Sequence, residues 1–137
     1  MSAPAITCVG LDLVQISQIA SSVERFGRRF LDRIFTPREL RYCLADPGTS
    51  AMRLAARFAA KEATRKVLRV DSEGVGWRSI EVRRSPAGWC ELALHGDAGA
   101  LARRKGFVAF SVSLTHEADC AGAVVVAERR RNRGAGP

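Results

Sequence analysis

The chain has no apolar run approaching the roughly 18 residues of a membrane-spanning helix. It also lacks the basic start and apolar core of a secretory leader, so the cytoplasm is the expected setting. Aromatic residues are scarce, 7% of 137 residues, and no zinc-finger, basic-zipper or aromatic RNA-binding pattern occurs. Their absence argues against a nucleic-acid-binding module despite a formal net charge of +8. There is no CxxC pair: Cys8, Cys43, Cys90 and Cys120 are widely spaced, and His95 and His116 stand apart from them. That distribution argues against a zinc site. Reduced thiols acting as small hydrophobes suit their mostly apolar surroundings, and disulfides do not suit a reducing compartment. Internal repeats and low-complexity segments are also missing, apart from the last few residues.

What is present supports one domain. An apolar content of 47% over this length provides for a single core, and the expected domain spans residues 1–128. Arg129, Arg130, Arg131 and Arg133 carry half of the net charge in a Gly/Pro-ended stretch without apolar periodicity, so 129–137 reads as a basic disordered tail. The remaining excess lies between 25 and 41, where Arg25, Arg28, Arg29, Arg33, Arg38 and Arg41 face only Asp32 and Glu39. Such a patch suits an acidic protein or a phosphorylated small molecule, and a merely solubilising surface remains open on charge alone.

Residues 6–13 read as a strand that passes directly into a helix bearing Ile16, Ile19, Ala20, Val23 and Phe26 at helical spacing and stopping at Gly27. Thr36, Pro37 and Glu39 form a capping box for a second helix that ends near Ala45, before Asp46, Pro47 and Gly48. Positions 52, 55, 56, 59, 60, 63 and 67 are small or apolar at helical spacing, which predicts a long helix packed closely on something flat. Strands over 79–83 and 89–94 flank a Ser85-Pro86-Ala87-Gly88 turn. A short helix runs from Asp97 to Lys105, and two further strands cover 107–115 and 121–127. The order describes an α+β fold, a mostly antiparallel sheet packed against a long central helix and shorter helices.

Two carboxylates stand out. Glu62 precedes Lys66 by four residues on the long helix, a spacing that by itself gives a solvated helix bridge worth roughly 0.2–0.5 kcal/mol. Asp12 lies inside an apolar run, where a carboxylate is costly unless paired or metal-bound.

Four motifs now fall in order: Val9-Gly10-Leu11-Asp12-Leu13-Val14, Arg33-Ile34-Phe35-Thr36, the stretch from Arg57 to Lys66, and Ser113-Leu114-Thr115-His116. Over residues 5–128 the chain resembles holo-acyl-carrier-protein synthase, a family of small 4′-phosphopantetheinyl transferases. The resemblance implies transfer of the phosphopantetheine arm of coenzyme A to a serine of an acyl carrier protein, with release of adenosine 3′,5′-bisphosphate. It further implies Mg²⁺ held by Asp12 and Glu62, with Lys66 beside the diphosphate and Glu62, or a metal-held water, taking the serine proton. Arg57 and His116 would contact coenzyme A phosphates; without the resemblance, Arg57 reads equally well as a surface arginine and His116 as structural. Arg25 and Arg28 would dock the acidic carrier protein, and the active site would lie between subunits of a homotrimer.

The chain departs from that family at three places. Gln15 and Gln18 stand where an acidic residue and an arginine are usual in the first helix, which points to a different carrier from a fatty-acid, polyketide or peptide pathway. Arg69, Val70 and Asp71 replace a Gly-Thr-Gly loop, so Arg69 is expected to supply charge where backbone amides otherwise serve. The alternatives are a noncatalytic paralogue that binds a carrier and, more remotely, a basic nucleic-acid-binding module.

Overall fold

The computed structural model describes residues 4–72 and 74–131. In β1, Ala5–Gln15, the side chains alternate: Cys8, Gly10, Asp12 and Val14 turn inward, whereas Val9, Leu11 and Leu13 are exposed. Period-two burial of this kind belongs to a strand covered on one face. The chain enters α1, Ile16–Phe26, without a loop, and Gln15 gives it no side-chain cap. Asp119, distant in sequence, provides one, accepting from Ser17 N at 2.9 Å and Ser17 Oγ at 2.5 Å. Gly27 closes α1 at φ 55°, a left-handed conformation that costs glycine no Cβ clash.

A short helix, α2, Arg28–Ile34, follows at once; the sequence reading had not anticipated it. Arg28 therefore belongs to α2, and Arg25 alone of the two docking candidates lies on α1. α3, Pro37–Cys43, carries the expected capping box, with Thr36 Oγ1 accepting from Glu39 N and a Glu39 oxygen accepting from Thr36 N. α4, Ser50–Leu68, is the long central helix. A 3-10 turn, Trp77–Ser79, leads into the hairpin of β2, Ile80–Arg84, and β3, Cys90–Leu94. α5, Gly96–Arg104, β4, Phe107–Glu117, and β5, Cys120–Arg130, complete the described chain.

The strands form two antiparallel ladders: a three-stranded sheet in the order β1-β5-β4 and the separate β2-β3 hairpin, whose β3 lies beside β4. The boundary expected at 129 moves, because Arg129 and Arg130 belong to β5 and are in register with Ile6 and Ala5. Residues 132–137 of the expected tail lie outside the described residues. No described helix is long and apolar enough to cross a membrane.

α4 crosses the inner face of the sheet on its small residues. Ala59, Ala60, Ala63 and Val67 pack on Ala123, Val125 and Ala127 of β5. Contact with β1 is closer still: a Cβ placed on Gly10 would stand 2.1 Å from Ala63 O and 2.8 Å from Val67 Cγ2. A backbone oxygen cannot swing aside as a side-chain tip can, so helix and strand would have to separate. Gly10→Ala should therefore cost about 1–3 kcal/mol through overpacking. A urea midpoint equal to that of the wild type would show that α4 does not sit this close.

Candidate functional site

α4 presents two flanks, and the sequence-predicted residues divide between them. On the β1 side, Asp12 and Glu62 line a cleft of about 380 Å³ together with Gln18, Ile19, Phe30 and Phe58. Lys66 does not bridge along its own helix to Glu62. Its ammonium reaches β1, donating to Leu11 O at 2.8 Å and pairing with Asp12 Oδ1 at 3.1 Å. Burial pushes the Glu62 carboxyl above its ordinary range and the charge of Asp12 adds to the rise, while Arg65 and Lys66 pull the other way. Two carboxylates thus share one cleft at an electrostatic cost that a cation relieves.

Among the described residues no group of three or more His, Cys, Asp or Glu could hold a metal ion. Two carboxylates are a poor cage but a good partial site for Mg²⁺, which keeps several waters and completes its shell with substrate phosphate oxygens. The donors present fit that ion.

On the other flank lies a basic trough. A depression of about 410 Å³ includes Arg57 and His116, as the sequence reading paired them, together with Arg53 and Thr115. It shares Tyr42, Arg57 and Arg84 with a neighbouring cleft of about 650 Å³ against the β2-β3 hairpin. Three guanidinium groups surround the Tyr42 ring, those of Arg53 at 4.3 Å, Arg57 at 4.4 Å and Arg84 at 5.3 Å from its centroid, and Arg84 also donates to the Tyr42 hydroxyl. Arg57 is no surface arginine, being 4% exposed. Its Nη1 donates to Arg53 O at 3.3 Å, but its Nε is buried with no partner, as is Ser85 Oγ in the larger cleft. Buried polar atoms left unpaired are uncommon in a finished fold, and both of these border the cleft against the hairpin. Tyr42, Arg53 and Arg84 escaped the sequence reading because they lie on three elements with no common spacing.

Between the flanks runs a buried network. Lys61 is 0% exposed; its ammonium pairs with Glu39 Oε1 at 2.7 Å and donates to Trp77 O at 3.2 Å and to Ile80 O. Burial pulls the Lys61 pKa down, and the Glu39 charge and hydrogen bond oppose it. Glu39 Oε2 accepts from Val82 N at 3.0 Å. Nearby, Thr36 Oγ1 donates to Glu81 Oε2 at 2.7 Å, and Glu81 Oε1 meets Arg83 Nε at 2.7 Å and His95 Nε2 at 3.3 Å. Burial alone would raise the Glu81 pKa, but these hydrogen bonds overcome it and hold the carboxyl at about 2. Cys43, fully buried below Arg57, has its thiol pushed up to about 11 by burial, in keeping with an inert small hydrophobe.

The other candidates lie elsewhere. Arg69 caps α4 in a left-handed conformation, φ 51°, and lines a cleft with Cys8, Arg104, Lys105 and Arg129. It is one turn beyond Lys66 and twelve residues, about 18 Å along the helix, from Arg57. Arg28 forms an exposed i,i+4 ion pair with Asp32 at 3.0 Å, and the Arg25 guanidinium covers the Phe26 ring at 5.1 Å. The groove beside them is lined by Phe26, Arg29, Phe30 and Arg33. Glu39, an acid within the sequence of the basic patch, is turned inward and buried.

Known proteins align along most of the chain. Residues 8–118 match the family model for the 4′-phosphopantetheinyl transferase superfamily. A holo-[acyl-carrier-protein] synthase of Gloeobacter violaceus is 44% identical over 117 residues, covering 85% of this chain and 89% of that protein. One from Nitratidesulfovibrio vulgaris strain DP4 is 45% identical over 125 residues, covering 90% and 98%. Among solved structures, the synthase–coenzyme A complex of Chronobacterium ammoniagenes superposes with a TM-score of 0.83 at 30% identity, covering 92% of this chain and 99% of that one. The Helicobacter pylori holo-[acyl-carrier-protein] synthase with coenzyme A gives 0.75 at 30% identity, covering 87% and 98%.

The network yields a pH test. Glu81 has a folded-state pKa depressed from 4.5 to about 2, so its contribution to stability is present above the ordinary carboxylate range and is lost as pH falls through that interval. Wild-type stability, read as a urea midpoint, should fall more steeply between pH 5 and pH 2 than that of Glu81→Gln; parallel profiles would remove Glu81 as the cause.

Proposed function

The chain belongs to the 4′-phosphopantetheinyl transferase superfamily, and from that premise we propose that it moves the 4′-phosphopantetheine arm of coenzyme A onto a serine of an apo acyl carrier protein. The serine oxygen forms a bond to the phosphorus bearing pantetheine, the bond from that phosphorus to the bridging oxygen breaks, and adenosine 3′,5′-bisphosphate leaves. The observation that carries this reading is the division of α4: paired carboxylates with a lysine on one flank, and an arginine-lined trough with unpaired polar atoms on the other.

On the first flank Asp12 and Glu62 would hold Mg²⁺, which when bound supplies positive charge against the diphosphate. Lys66, anchored to Asp12 and Leu11 O, adds a fixed cation where the leaving group develops charge. Glu62, or a water held by the metal, would take the serine proton. Arg57 and His116 receive the nucleotide end of coenzyme A in the trough, and Arg69, just past Lys66, adds charge beside the diphosphate. Arg25 and Arg28 meet the acidic carrier next to the Phe26 groove, guiding association more than chemistry. The reaction takes place in the cytoplasm.

Mass spectrometry of intact apo carrier proteins incubated with this protein, coenzyme A and Mg²⁺ tests the reading. One phosphopantetheine should be gained, lost with EDTA and lost with Glu62→Ala while the fold persists. Modification surviving Glu62→Ala would sink the carboxylate assignment, and binding of a carrier without mass gain would favour a noncatalytic paralogue. Arg69→Gly relieves the left-handed strain, so it should stabilise the chain by a few tenths to about 1 kcal/mol while raising KM for coenzyme A. An unchanged KM would remove Arg69 from the site.

The two flanks also support a homotrimer with the active site between copies. Arg57 and Glu62 are five residues apart, a rotation of about 140° on a helix of 3.6 residues per turn, and Asp12 and His116 lie on β1 and β4 with β5 between them. Within one chain α4 covers the direct route from one half-site to the other. The outer sheet face meanwhile exposes Val9, Leu11 at 60%, Leu13 at 67%, Val108 and Val126, an apolar surface of the kind that marks an interface. Leu11→Asp should give a monomer by sedimentation equilibrium and abolish turnover. A wild-type monomer at active concentrations would refute the shared site.

A further inference from the structure

The cleft against the hairpin contains one element that phosphate binding does not use. Trp89 follows the turn between β2 and β3, lines the cleft alongside Arg38, Tyr42, Arg57 and Arg84, and is 61% exposed. Few large apolar side chains are this exposed here, and the others on the sheet are aliphatic. The indole does not hang loose. Its Nε1 donates to Glu91 Oε1 at 3.1 Å, its backbone oxygen accepts from Ser85 N at 2.8 Å, and Gly88 N donates to Ser85 O at 3.0 Å within the same turn. One ring edge is tied down while most of the residue's surface stays in solvent. Beside it are Ser85 Oγ and Arg57 Nε, both buried and without partners.

An aromatic plane next to several guanidinium groups and an unpaired hydroxyl is the equipment for a base carrying phosphates: the cations take the phosphates, the indole takes the π-face, and the hydroxyl takes a polar atom of the nucleoside. An apolar ligand would leave the arginines unused, and a bare phosphate would leave the indole exposed. We propose that Trp89 is a specificity-determining residue that stacks on the purine of the nucleotide-bearing substrate, with Ser85 Oγ as a hydrogen-bond partner of the nucleoside. This rests on the reading above that the nucleotide end of coenzyme A enters the trough, and it names the residue that distinguishes a nucleotide from a base-free diphosphate.

Tryptophan emission makes the test direct. The other tryptophan, Trp77, is stacked on Phe58 at 5.3 Å and covered by Arg65, so a change at the cleft is read by Trp89. Adenosine 3′,5′-bisphosphate should quench the wild type, and the quench should be absent in Trp89→Phe. By calorimetry Trp89→Ala should bind adenosine 3′,5′-bisphosphate about tenfold more weakly, with Trp89→Phe close to wild type and pyrophosphate affinity unchanged in both. In the carrier assay Trp89→Ala should raise KM for coenzyme A and leave kcat unaltered. If Trp89→Ala binds the bisphosphate normally while Arg57→Ala does not, the stacking role is overturned and the trough stands. If neither substitution weakens binding, the placement of the nucleotide falls as well, and the stacking role with it.

Discussion

The rest of the structure depends on one buried ion pair. A lysine ammonium with no solvent contact is among the costliest groups a fold can enclose, and its attraction to a single carboxylate seldom offsets the lost hydration. Lys61 is tolerated because each of its three N–H donors has an acceptor: Glu39, Trp77 O and Ile80 O. Glu39 in turn binds backbone N–H groups at the start of α3 and at Val82 of β2. A helix start, a helix middle, a 3-10 turn and a strand are thereby fixed to one point. With Lys61 aimed into the hairpin, the rotational phase of α4 follows. Arg57, four residues earlier, then faces the trough beside that hairpin, and Glu62, one residue on, turns toward β1. The division between the two half-sites is set by this phase rather than by contacts within either site.

The second constraint is closeness. Alanines on α4 and glycine at position 10 bring helix axis and sheet together, so long side chains at the margins of the contact have nowhere to go but outward along the two flanks. Glu62 and Lys66 leave on one side and Arg53 and Arg57 on the other. Small residues in the middle are thus what make the large polar ones available. The same closeness brings Lys66 within reach of Leu11 O and Asp12, converting a residue that would pair along its helix into one that binds a strand more than fifty positions away.

Much of this was legible in the sequence where local chemistry decides. The capping box at Thr36 and Glu39, the apolar run of β1, the alanine stripe of α4 and the hairpin around Pro86 all depend on neighbours a few residues apart. The carboxylates Asp12 and Glu62 were also readable as members of one cleft, though only through the family resemblance. What stayed hidden depends on partners distant in the chain. α2 was missed because Gly27 reads as a stop, while the arginines around Phe30, Leu31 and Ile34 mask a seven-residue helix. The strand assignment of Arg129 and Arg130 comes from pairing with Ile6 and Ala5, which composition cannot show. Lys61 carried one faint signal, a position beside Ala59, Ala60 and Ala63 on the buried stripe; nothing in its spacing names Glu39, twenty-two residues away, as its partner.

The trough poses an electrostatic problem that the network resolves. Arg53, Arg57 and Arg84 converge on one tyrosine ring, and their mutual repulsion is only partly offset by cation–π attraction of order 1 kcal/mol for each. Glu39, a buried carboxylate on the wall of the adjoining cleft, is hydrogen-bonded to Lys61 and to Val82 N rather than to these arginines. Glu91, the other carboxylate on the cleft wall, is held by Trp89 Nε1. A polyphosphate entering the trough relieves whatever repulsion among the three guanidinium groups the ring leaves in place. The ion pair at Lys61 and the helix-sheet contact at Gly10 supply the rigidity that keeps the arginines together in the absence of ligand. Preorganised charge of this kind, fixed before the substrate arrives, gives affinity without a reorganisation cost at binding.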